Sequence, residues 1–201
     1  MKNLLRSSIL LTIILTVSIA FASDVAKLLE SADEVLEAVV EIRKLKPKEP
    51  IHKGVKSREE VKAYLVSRIQ EEYPKEQIAR EERLLKRLGL IPVDLPLYEF
   101  MLDLLTEQVA GYYDPDSKTL YIADWIPLEI QKPVMAHELT HALQDQYFDL
   151  KKFLTPVEGN DDRTLARNAL IEGEGFIVML DYALRPMGRN AIDVPDLVEL
   201  N

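Results

Sequence analysis

His137-Glu138-Leu139-Thr140-His141 sets two imidazoles four residues apart with a carboxylate between them. In a helix, that spacing puts the rings about 40° apart around the axis and about 6 Å along it, on one face. Both can ligate one ion, and Glu138 stands one step round, within reach of a water on that ion. From this composition an accidental match is expected at roughly the 0.4% level. The bland alternative is a helix whose two histidines merely lie near the surface.

A catalytic zinc site needs three protein ligands and an open position. The extended motif that would supply a third histidine fails, because Gln144 and Tyr147 stand where Gly and His are required. The one other histidine, His52, lies between Pro50 and Gly54 and reads as a loop residue. The third ligand is then a carboxylate. Glu172 interrupts a helical stripe of Leu165, Ala169, Phe176, Met179 and Ala183, which is expected to face the core. A carboxylate buried there is costly unless paired with a cation, either Arg or Lys or a metal. Asp145 is the rival, but it shares a helix with both histidines, so a supporting role toward a histidine N–H suits it better. Glu174 points to the opposite side of its helix, with Arg167 and Asp181, toward solvent or supporting work.

These groups need helices to carry them. Apolar periodicity predicts helices over 24–45, 57–72, 74–89, 95–109, 133–147 and 162–184. Ser57-Arg58-Glu59-Glu60 is a capping-box pattern, and Pro133 fits a first helical turn. Residues 109–113 and 118–123 read as two short strands joined by Asp114-Pro115-Asp116-Ser117, a β-hairpin. Leu150 to Asp161 reads as loop. The class expected is α+β, mostly helical, with a short antiparallel hairpin before the histidine helix.

The chain has 201 residues, no Cys, three His and a formal charge of −9. Without cysteine, disulfide frameworks and thiolate nucleophiles are excluded. The acidic balance argues against nucleic acid as a partner. Lys2 and Arg6 precede an apolar run from Ile9 to Phe21 that ends in Ala20-Phe21-Ala22, the pattern of a secretory signal. The run is short for a membrane span, so membrane contact is expected only if it stays uncleaved. The expected organisation is a signal or anchor over 1–22, a helical region over 23–92 and a metal-binding domain over 93–201.

The stretch Met135–Gln146, followed by Ala169-Leu170-Ile171-Glu172-Gly173-Glu174-Gly175, resembles the gluzincin branch of the zincin metallopeptidases. The resemblance covers residues 109–184, and nothing in 24–108 shares it. It implies one Zn²⁺ held by His137, His141 and Glu172, with Glu138 as general base and a peptide or unfolded protein as substrate. It also implies an edge strand that pairs with extended substrate, here Leu120-Tyr121-Ile122 or residues 109–113. Relatives use a downstream His or Tyr on the oxyanion. No His follows His141, which leaves Tyr182, Tyr112 or Tyr147. Two other readings stay open: an inactive metal-binding module of the cell envelope, and a structural envelope protein.

Overall fold

The computed structural model describes residues 24–72, 75–157 and 159–194. Among them, no helix is long and apolar enough to cross a membrane. The expected signal over 1–22 lies outside the described residues.

Contacts divide the chain into two units. One comprises Lys56–Ala110 and Ala123–Ile126; the other takes the chain up to Val55, Gly111–Ile122, and Pro127 onward. The unit Lys56–Ala110 is thus inserted in the sequence of the other. The first long helix belongs with the histidine helix, because its apolar face closes the same core.

That core begins with α1 (residues 24–43), which buries Ala32, Val35 and Val39. Lys44 takes a left-handed φ of 57° and ends the helix. β1 (His52–Lys56), β2 (Gly111–Asp114) and β3 (Thr119–Ala123) form a sheet in the order β1-β3-β2. The expected hairpin is β2–β3, antiparallel, with Tyr112 opposite Tyr121 and Tyr113 opposite Leu120. The Asp114 carboxylate accepts from Asp116 N–H, Ser117 N–H and the Ser117 hydroxyl, closing the turn. β1 is not legible in the sequence, and His52 begins this strand rather than sitting in a loop.

Leu120 and Ile122 project from β3 onto α5 (Leu128–Phe148), meeting Met135, Ala136, Leu139, Ala142 and Leu143. α5 packs against both β2 and α7 (Asp161–Leu184). Flanked on several sides, it is buried almost all round from Met135 to Gln144. It starts five residues before Pro133, which therefore lies inside the helix rather than in its first turn. Asp149 ends α5 in the left-handed region (φ 54°), and its carboxylate accepts from Lys152 N–H to cap α6 (Leu150–Phe153). That short helix occupies part of the expected loop. Asn160 caps α7 by accepting from Arg163 N–H.

The second unit is a small helical cluster. α2 (Arg58–Glu72) begins at the expected capping box: Glu60 N–H donates to Ser57 Oγ, and Ser57 N–H donates to Glu60 Oε2. α3 (Lys75–Arg87) holds the start of α4 (Leu97–Gln108) by accepting Leu97 N–H on Glu82 Oε2 at 2.9 Å. Val61, Leu102 and Thr106 are its buried side chains from α2 and α4.

Candidate metal centre

Local sequence explains the placement of the imidazoles. His137 and His141 lie one helical turn apart on α5, on the face turned to α7. Across from them α7 presents Glu172 and Gly175. The three ligand atoms, His137 Nε2, His141 Nε2 and Glu172 Oε2, lie within 4.8 Å of one another. The separations are 2.9 Å between the two nitrogens, 3.2 Å from His137 to Glu172 and 3.7 Å from His141 to Glu172. Donors of a tetrahedral ion with bonds of 2.0–2.1 Å stand about 3.3 Å apart, so the observed spread brackets that value. His137, His141 and Glu172 thus form a group that could hold a metal ion.

The hydrogen-bond network supports this fit. Gln144, fully buried one turn beyond His141, donates from its amide nitrogen to Glu174 Oε2 at 2.6 Å and to the Ile171 carbonyl at 3.2 Å. Both partners can only accept, so the Gln144 carbonyl oxygen must be the atom facing His141 Nδ1, 2.8 Å away. A carbonyl needs a donor, so His141 Nδ1 carries the proton. In neutral His141, Nε2 then offers its lone pair to the same small space as His137 Nε2 and Glu172 Oε2. Converging lone pairs repel one another unless a cation or proton sits between them.

His137 is held differently. Its Nδ1 is buried with no hydrogen-bond partner among the described residues. Its ring lies close against α7 at Gly175, where an added Cβ would stand 2.8 Å from Cε1 and Nδ1. Packing, not hydrogen bonding, sets this ring.

Electrostatics follow the geometry. The hydrogen bond from His137 at 3.2 Å and the neighbouring His141 imidazole hold the Glu172 carboxyl well below the ordinary carboxylate range. Burial pulls the His141 pKa down, but the neighbouring Glu172 carboxylate and the Glu138 charge outweigh it and raise the group overall. Glu138 is pushed up by burial, against the opposing pull of His141 and of its hydrogen bond from Tyr113 N–H. That bond is 2.8 Å long. It comes from β2, whose Tyr113 N–H is turned away from β3.

Several expected roles are corrected. The stripe read as the core face of α7 is not buried: Leu165 is 69% and Phe176 45% exposed. The buried face is Ile171, Gly175 and Val178. Large apolar residues marked the wrong stripe because the true contact line needs a glycine to admit a histidine ring. Glu172 flanks that line with its side chain 64% exposed, so it reaches the histidines from the rim. Asp145 does not support a histidine; it accepts from the Tyr113 hydroxyl at 2.9 Å and from Leu150 N–H at 2.9 Å. Leu120, Tyr121 and Ile122 cannot act as an edge strand, because β3 is the middle strand; among the described residues the outer strand on the hairpin side is β2. Tyr182 packs against the core ten residues, about 15 Å of helix, beyond Glu172. Tyr147 spends its hydroxyl on the Lys46 carbonyl. Glu174 does face inward, accepting from Gln144 and pairing with Arg43. Gln144 itself went unread; its signal was its place three residues past His141, inside a buried run.

No protein-family model matches the sequence, and no curated protein or solved structure matches it either.

Proposed function

We propose that this protein is an exported, zinc-dependent peptidase that cleaves extended peptides or unfolded proteins. The reading is supported chiefly by one juxtaposition: a three-donor cation group beside a desolvated carboxylate at an outer strand. When bound, zinc would polarise the scissile carbonyl and acidify a water molecule. His137, His141 and Glu172 hold the ion. Glu138 takes the proton of the attacking water and delivers it to the leaving amine. Tyr113 N–H holds Glu138 in place and puts the β2 edge beside it, where backbone hydrogen bonds can align a substrate strand with little demand on sequence. Export rests on the pattern of residues 1–22 alone.

A second reading has a specific basis. Tyr147 spends its hydroxyl on the Lys46 carbonyl and Tyr182 packs about 15 Å along α7 from Glu172, so neither serves the oxyanion, which favours a metal-binding module without turnover. A digest of an unfolded, cysteine-free protein separates the two. The peptidase gives chelator-sensitive cleavage, and Glu138→Gln keeps about one zinc per chain while losing roughly 10²–10⁴-fold in rate. Zinc binding without cleavage by the parent chain favours the module. Equal cleavage by Glu138→Gln removes the mechanism.

A further inference from the structure

A buried polar chain runs from α1 to the metal group, and neither the catalytic proposal nor the ligand set uses it. Arg43, the last residue of α1, pairs with the Glu174 carboxylate of α7. Its side chain is only 13% exposed, and its Nε is buried without a hydrogen-bond partner. Glu174 accepts from the Gln144 amide, and the Gln144 carbonyl faces His141 Nδ1. We infer that Arg43, Glu174 and Gln144 are positioning residues that lock His141 as the Nε2-ligating tautomer, so that metal affinity depends on the docking of α1.

The inference rests on the metal-binding part of the proposed function, not on catalysis. Its physical basis is the direction each group is forced to face. Arg43 can only donate, which fixes the charged acceptor at Glu174. Glu174 and the Ile171 carbonyl together fix the amide orientation of Gln144, and the amide orientation fixes the proton on His141. A carboxylate placed directly on a metal-binding imidazole is the usual supporting partner. Here the carboxylate acts at one remove through a neutral amide. His137 has no such support, so His141 is the orientationally fixed ligand of the pair. Arg43 stands on α1 and Glu174 on α7, so loosening α1 frees Glu174 to leave the amide, with the Ile171 carbonyl as its remaining acceptor.

The test uses the full chain, with Zn²⁺ affinity by chelator competition and the visible spectrum of the Co²⁺ form as readouts. Gln144→Leu strips the acceptor and is expected to weaken zinc binding about 10–100-fold and alter the Co²⁺ band. The double variant Gln144→Glu with Glu174→Gln reverses the order of acid and amide while keeping an acceptor on His141 and a donor between the two. Because the acid at position 144 can no longer donate to the Ile171 carbonyl, the double variant is expected to recover part of the affinity that Gln144→Leu loses and to shift the band back toward that of the parent. A folded Gln144→Leu protein that binds zinc like the parent, with an unchanged band, overturns the relay. So does a double variant that folds yet binds no better than Gln144→Leu. If Gln144→Leu does not fold, the double variant alone decides. A parent chain that binds no zinc at stoichiometry sinks the metal reading itself, a distinct outcome.

Discussion

Gly175→Ala is the sharpest perturbation of the site that touches neither a ligand nor the base. The added methyl would stand 2.8 Å from both Cε1 and Nδ1 of His137 and 3.3 Å from Cγ, whereas ordinary contact begins at 3.4 Å. The ring or the helix must therefore retreat by about 0.6 Å, and metal–ligand bonds tolerate only about 0.2 Å. With no hydrogen bond on Nδ1 to re-seat the ring, His137 shifts away from the donor group, and zinc affinity is expected to fall about 10–100-fold. Stability of the metal-free protein carries two opposed terms. Overpacking costs about 1–3 kcal/mol, while replacing a mid-helix glycine returns about 1 kcal/mol. The net is a loss of roughly 0–2 kcal/mol from these ranges. Gly173→Ala is the internal control. Two residues away on the same helix, its Cβ would meet nothing within 4 Å, so it should gain about 0.5–1 kcal/mol and leave zinc affinity alone. Chelator competition for zinc and urea melts with the metal removed read both quantities. Equal zinc affinity in the two alanine variants would refute the claim that α7 seats His137 by contact.

Three further outcomes follow from the same geometry. Leu139→Ala empties a fully buried position on α5 beneath the histidines and should cost about 2–5 kcal/mol in urea melts; a loss under 1 kcal/mol would place the core elsewhere. Tyr113 gives a pH signature: burial, then the hydrogen bond to Asp145, push its hydroxyl far above its ordinary value, so the fold keeps a proton that the unfolded chain releases. That contribution is full below about pH 10 and drains away as pH rises beyond it; Tyr113→Phe should flatten this alkaline decline, and identical slopes in the two proteins would argue against the bond. Asp149→Ala removes the cap on Lys152 N–H from a left-handed residue and should cost about 0.5–2 kcal/mol by thermal melting, with no effect on zinc affinity.

Helix periodicity and caps made α2, α4, α5 and α7 legible to within a few residues, because those signals are local. The hairpin was legible for the same reason: Asp114 both breaks the strand and satisfies the turn. β1 was not, since His52-Lys53-Gly54-Val55-Lys56 has no alternation and a single apolar residue, Val55, and its strand exists only by pairing with β3. The order β1-β3-β2, which decides which strand lies outermost, is equally a tertiary fact. At the site, H-E-x-x-H and Glu172 could be read because ligand spacing is a helix property. The reason given for Glu172 was wrong, since it flanks the buried line instead of interrupting it. Gln144 stayed hidden because an amide carries no charge signature; only the direction of its neighbours reveals that it sets a proton.

The central claim is that His137, His141 and Glu172 together hold one divalent cation. The direct measurement is metal content after exhaustive dialysis against trace zinc, by mass spectrometry, for the full chain beside His141→Ala and Glu172→Ala. The account predicts about one zinc per parent chain, none retained by His141→Ala, and sharply weakened binding in Glu172→Ala. Zinc retained at full stoichiometry by either variant, or no zinc in the parent, would contradict it.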